Sequence, residues 1–153
     1  MCEENDFRKF YSKAYQYCDL LLAKFSNNKE AICYARLNIP KSELKEYYVL
    51  GMLTESEIFI LKTQTKLIKL SIDSMIKNII EHVDLKYDDY LKLENIILAP
   101  DKIIQDRKNN LRMFKCINGK FYEIVIKTTK NKNENYLTTF HRCNISKLKD
   151  KKR

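Results

Sequence analysis

Glycine and proline are almost absent from this chain, with two of each in 153 residues. So few turn formers argue against a many-turned sandwich, a repeat of loops or a disordered linker. Two glycines also leave no material for a phosphate-cradling loop, so nucleotide-triphosphate chemistry is not expected. No apolar run approaches the roughly 18 residues that cross a bilayer, and no membrane partner is expected. The opening residues, MCEENDFRKF, are acidic and lack an apolar stretch, which is not the pattern of a secretory leader. A cytoplasmic protein is the expectation. Five cysteines are scattered without a C-x-x-C pair, which predicts reduced and mostly buried thiols rather than a zinc site or a disulfide framework. No acidic cluster suggests a two-metal nuclease, and Asp84, Asp88 and Asp89 read as caps of a helix start. No metal and no cofactor are expected.

What is present is an ordinary globular balance, 44% hydrophobic and 32% charged, in a chain long enough to bury a core without staples. The charge is unevenly placed. Residues 1–101 hold 14 Lys and Arg against 16 Asp and Glu, a net of −2, whereas residues 102–153 hold 15 against 4, a net of +11. Ten of those 15 cations precede Lys147, among strand-like residues, and residues 147–153 read as a solvated basic tail. A concentrated positive field of this kind is the electrostatic footprint of a polyanion partner, here nucleic acid.

Apolar residues from Phe7 to Phe25 recur at three- and four-residue intervals and predict a helix over Asn5–Phe25. A second helix, Lys29–Leu37, would complete an N-terminal hairpin that lies on the domain or on a partner. Tyr47–Leu53 reads as a strand, Thr54–Glu57 as a turn and Ile58–Ile60 as a second strand, with Thr63–Leu70 as its weak continuation. Ser71 is a natural N-cap for a helix that buries Ile72, Met75, Ile76, Ile79 and Ile80, leaves Lys77 on a flank and closes at His82. One further helix, Asp88–Leu98, would stop at Pro100. Then come four strand candidates, Lys102–Gln105, Leu111–Ile117, Phe121–Lys127 and Tyr136–Cys143, with Asn118-Gly119 a strong hairpin signal. The fold class predicted is α+β, with helices packed on one face of a mostly antiparallel four-stranded sheet. Residues 1–40 form the N-terminal helical segment and residues 41–153 the main domain.

Strict alternation along the last strand sends Tyr136, Thr138, Phe140 and Arg142 one way and Leu137, Thr139 and His141 the other. Glu123, Val125 and Lys127 share one face of the preceding strand, opposite the apolar Tyr122, Ile124 and Ile126. One face of the sheet would therefore be dry and the other lined by Lys, Thr, Arg and Glu. Such a basic, hydroxyl-lined face suits metal-independent RNA cleavage. One group removes the 2′-hydroxyl proton, another protonates the leaving 5′-oxygen, and cations steady the phosphorane. His82 and His141, the only histidines, carry the side chain whose ordinary pKa near 6.5 fits the proton steps. The plain alternative for each is a helix cap or a solvated surface residue.

The series LSIDSMIKNIIEHVDLKYDDYLKLENIILAPDKI, LRMFKCINGKFYEIVIKTT and ENYLTTFHR resembles a phage-associated nuclease domain of the barnase–EndoU–colicin–RelE-like superfamily. His82 at a helix end, Tyr90, Pro100-Asp101 and Thr138-Thr139-Phe140 carry the likeness, which covers about residues 47–145. Val83 stands where many relatives would have proline. The resemblance implies a metal-independent endoribonuclease, a hydrolase of the toxin type used in phage and mobile-element conflict, that leaves a cyclic phosphate. By the same likeness His82 is the acid/base, Lys77 aids phosphate binding or lowers a neighbour's pKa, Lys127 holds transition-state charge and Thr139 positions the phosphate. Thr138 is the adjacent candidate for that last role, and only the strand register separates the two. Arg112, Lys115, His141 and Arg142 are the expected further contacts to nucleic acid. RNA, tRNA included, is the expected substrate, and an acidic inhibitor or immunity protein would complement the basic end. A binding module that holds RNA or DNA on the same face without cutting it is the alternative. An adaptor reading instead requires the aromatic stripe of Phe7, Phe10 and Tyr11 to be exposed.

Overall fold

The computed structural model describes residues 2–144, with side chains from residue 5. Helices α1 (Cys2–Lys24), α2 (Asn28–Asn38) and α3 (Lys41–Leu44) lead into strand β1 (Tyr47–Met52). Helix α4 (Glu55–Leu61), strand β2 (Leu67–Ser71) and helices α5 (Ile72–Glu81), α6 (Tyr87–Tyr90) and α7 (Leu93–Leu98) follow. Strands β3 (Lys102–Gln105), β4 (Leu111–Ile117), β5 (Lys120–Thr128) and β6 (Asn135–Arg142) complete the described chain. The architecture is α+β, built on one mostly antiparallel sheet ordered β1-β2-β6-β5-β4-β3.

The sheet has six strands rather than the four expected, because β2 joins β6 in parallel through Ile68↔Asn135 and Lys69↔Tyr136. The fully buried Asn135 makes that junction. Its amide donates to the carbonyls of Thr65 at 2.8 Å and Leu67 at 3.0 Å, while its own carbonyl accepts from the Thr128 hydroxyl at 2.9 Å. Ile58–Ile60, expected as a strand, is helical. Thr54 and Glu57 form a capping box, with Glu57 N–H donating to Thr54 Oγ1 and Thr54 N–H to Glu57 Oε1, so the supposed turn is a helix start. The expected helix Asp88–Leu98 is two short ones, because the Asp89 carbonyl takes the Lys92 N–H three residues on and tightens the chain there.

Ser71 caps α5, its hydroxyl accepting from Ser74 N–H at 3.1 Å, and Ile72, Met75, Ile76, Ile79 and Ile80 are buried as expected. The β4–β5 hairpin turns at Asn118 and Gly119, both with positive φ, as a type I′ turn requires. A Cβ on Gly51 would approach Ile97 Cγ2 to 3.2 Å, so glycine permits the close seat of α7 on β1. Phe7, Phe10, Ala14, Cys18 and Leu21 of α1 belong to the same core as Ile124, Ile126, Leu137 and Phe140 of the sheet. The N-terminal aromatic stripe is thus interior: Phe7 is 3% exposed and Phe10 8%. The adaptor reading loses its surface. Four described cysteines are free as expected, but Cys33 and Cys116 are exposed because they fall off the buried faces of α2 and β4. The basic tail expected over residues 147–153 lies outside the described residues.

Candidate functional site

The alternation expected along β6 breaks at a β-bulge. Val125 pairs with Thr139 but its neighbour Ile126 pairs with Leu137, which leaves Thr138 as the extra residue. Leu137 and Phe140, expected on opposite faces, therefore both enter the core, at 1% and 0% exposure. The bulge gives the two threonines different settings. Thr139 shares its face with Val125 and, two residues on, with His141 opposite Glu123. Thr138 instead turns its hydroxyl to the Val125 carbonyl at 3.3 Å.

Strand β2 ends at Ser71, so beyond Tyr136 the edge of β6 has no strand beside it, and α5 runs there in its place. The Phe140 N–H donates to Asn78 Oδ1 at 2.9 Å, and Asn78 Nδ2 donates to the Tyr90 hydroxyl at 2.9 Å. Asn78 is buried. This clamp sets the end of α5, and with it His82, beside His141. The two imidazoles stack with centroids 5.5 Å apart and planes 21° from parallel.

Behind His141 runs a charged chain that was not anticipated as a unit. His141 Nε2 lies 3.0 Å from Glu123 Oε1, and Glu123, 1% exposed, receives Arg112 through its other oxygen at 2.7 Å. Arg112 also meets Asp106 at 3.1 Å. His141 Nδ1 faces the Arg142 carbonyl at 2.9 Å. Both ring nitrogens of His141 thus face oxygen atoms within hydrogen-bond distance. Glu123 escaped the sequence reading because it counted only as a polar residue on a wet face. The hairpin register from Asn118-Gly119 places it two residues along β5 from Val125, which pairs with Arg112, so the Glu123–Arg112 bridge was within reach of inference. That face is also drier than expected, since Phe114, Glu123 and Val125 are all buried on it.

His82 is different. Its ring makes no hydrogen bond or ion pair with the described residues; it stacks on His141. Burial first, then the neighbouring His141 and Lys77, hold its pKa below the ordinary histidine value, against the opposing pull of Glu81 and Asp84. The ring is half-buried, so it is open to a ligand and favoured in its neutral form.

Along the same face, Lys77, Arg112, Lys127, Thr138 and Thr139 line one open depression of about 770 Å³, to which Arg107 and Lys108 of the β3–β4 turn also contribute. Five of the expected site residues therefore converge, while His82 and His141 are not part of that lining. Lys77 is 3.4 Å from Glu81, and Arg112 is committed to two carboxylates, but Lys127 has no carboxylate partner among the described residues. Two expected contacts do not belong to this face. Lys115 pairs with Tyr122 on the opposite face, where its ammonium is held by the Ala99 carbonyl and Asp101. Arg142, also opposite Tyr122, is on that side as well. Asp89, expected as a helix cap, does take the Lys86 N–H at 2.8 Å, but it is buried and also accepts from the Tyr122 hydroxyl. Burial works to raise its pKa, yet those hydrogen bonds, with Lys120 and Lys92 near, hold it below the usual carboxylate range.

Among the described residues, no three His, Cys, Asp or Glu side chains gather as a metal site would require, and no helix is long and apolar enough to cross a membrane. Compared with family models, curated proteins and solved structures, the chain has no significant match.

Proposed function

We propose that this protein is an endoribonuclease that cuts RNA by attack of a 2′-hydroxyl on the adjacent phosphorus, releasing a 2′,3′-cyclic phosphate. The observation that carries the reading is the stack of an unpartnered, neutral-favoured His82 on a His141 anchored by Glu123, with Lys77, which lines the cationic depression, close enough to act on the His82 ring. His82 takes the 2′-hydroxyl proton as general base. The alkoxide oxygen bonds to phosphorus while the bond to the 5′-oxygen breaks, and the Lys77 ammonium returns a proton to that leaving oxygen. Lys127 meets the negative charge that grows on the phosphate oxygens, and the Thr139 hydroxyl positions them. His141 is a positioning residue, since its nitrogens are occupied and its ring supports His82. No cofactor is called for by this chemistry. A toxin-type role in phage or mobile-element conflict, as in the superfamily that the sequence resembles, belongs to the same proposal.

The test uses two matched oligoribonucleotides that differ only in a 2′-deoxy substitution at the sugar before the scissile bond. Cleavage of the all-ribo strand to a cyclic phosphate, with the deoxy strand intact, is the expected result. Equal cleavage of both strands rules out attack by the 2′-hydroxyl. Salt-sensitive binding of both without any cleavage leaves the binding-module reading.

A further inference from the structure

The bulge residue Thr138 lines two depressions at once. One is the cationic depression lined by Lys77 and Lys127. The other, about 450 Å³, lies between β6, the start of α5 and the N-terminal helices, and its lining includes Arg36, Lys41, Lys45 and Tyr136. Nothing in the proposed cleavage mechanism uses this second depression, and the sequence reading left the N-terminal helices without a role.

Its charge is open to a ligand. Lys41 and Lys45 are exposed and have no carboxylate partner among the described residues. Arg36 is exposed and 3.0 Å from Asp73, which occupies the one carboxylate of that lining. The nearby Glu134 is likewise taken, by Lys69 at 3.0 Å and by the Tyr136 hydroxyl at 3.0 Å. Tyr136 adds an aromatic ring to the cations. A groove of exposed cations with an aromatic side chain is the composition that holds single-stranded nucleic acid, whose backbone follows the charge and whose bases stack on the ring. From Tyr136 to His141 the strand advances about 16 Å, longer than one nucleotide and continuous along one face.

We infer that the two depressions form one track for single-stranded RNA, in which Arg36, Lys41 and Lys45 grip the phosphates flanking the bond that is cut. This rests on the ribonuclease reading, and it gives α2 and α3 a task in substrate binding. The track prefers an unpaired strand or loop, whose bases are free to stack on Tyr136 as those of a duplex are not.

The test measures binding of a 2′-O-methylated single-stranded RNA, which lacks the attacking hydroxyl, to the full chain across a salt series. One variant carries Arg36→Gln, Lys41→Gln and Lys45→Gln together. The other carries Lys9→Gln, Lys24→Gln and Lys29→Gln, the same change in charge at exposed positions that line neither depression. The track predicts that the first variant loses about two units of slope in log affinity against log salt, near 0.7 per cation, while the second keeps the wild-type slope. Equal slopes for wild type and the first variant, or equal losses in both variants, overturn the track while leaving the ribonuclease reading in place. No binding by the wild-type chain overturns both.

Discussion

Asn78 stands in for a missing strand. Its side-chain carbonyl accepts the Phe140 N–H at 2.9 Å on the edge of β6 that β2 has left, and its amide reaches the Tyr90 hydroxyl at the same distance. The position of His82 over His141 depends on this clamp, since it fixes α5 against the strand that carries His141.

Asn78→Ala leaves the Phe140 N–H and the Tyr90 hydroxyl, both buried, without partners. The expected cost is about 2–4 kcal/mol, which lowers the melting temperature by about 5–15 °C for a chain of this size. Differential scanning calorimetry checks it. A shift within about 2 °C of wild type contradicts the clamp.

Glu123 is the buried counter-charge for both Arg112 and His141. Glu123→Ala strands the Arg112 guanidinium and removes the acceptor of His141, and is expected to destabilise by about 3–5 kcal/mol. Glu123→Gln keeps one hydrogen bond to Arg112 and is expected to cost less. Urea denaturation of the two variants gives the order. Equal losses in both would mean that the negative charge, which neither variant keeps, is the whole of what Glu123 contributes.

The pKa of His82 gives a pH dependence with a definite sign. Its folded value is depressed, so as pH falls below the ordinary histidine value near 6.5 the unfolded chain takes up the proton first. The contribution of the neutral ring is complete above that value and is lost as pH drops through it. Between pH 7.5 and pH 5 the urea midpoint of wild type should fall more steeply than that of His82→Asn. Parallel profiles would contradict the depressed value.

Much of the fold could be read from the sequence, and the places where reading failed share one physical character. Ser71, the apolar stripe of α5 and Asn118-Gly119 act through neighbours within a few residues, so their local pattern was enough. Thr54 and Glu57 carried a local signal too, a capping box, but in a stretch short enough to pass for a turn. The bulge at Thr138 and the parallel seat of β2 on Asn135 depend on partners tens of residues away, and no periodicity in β6 announces either. At the site the same division holds. His82, Lys77, Lys127, Thr138 and Thr139 were singled out from residue type and order; the last four line one depression, and His82 lies outside that lining, stacked on His141. Arg142 and Lys115 were assigned to it on charge alone, and strand register sends them to the other side.

Phe140, 0% exposed, faces the Tyr90 ring at 5.2 Å and the Tyr122 ring at 5.5 Å, and the bulge lets it share the core with Leu137. Phe140→Ala is expected to cost about 3–5 kcal/mol. Thr139→Ala, one residue earlier on the open face, should cost below about 1 kcal/mol. Chemical denaturation separates them. Similar losses at the two positions would place both side chains in the core and remove Thr139 from the site.

Cleavage of total RNA in EDTA by wild type, His82→Ala and Lys127→Ala, each verified as folded by circular dichroism, tests the central claim most directly. The account predicts cutting by wild type that survives EDTA and falls by about 100-fold or more in His82→Ala, with a marked loss in Lys127→Ala. Undiminished cutting by His82→Ala, or no cutting by wild type, contradicts it.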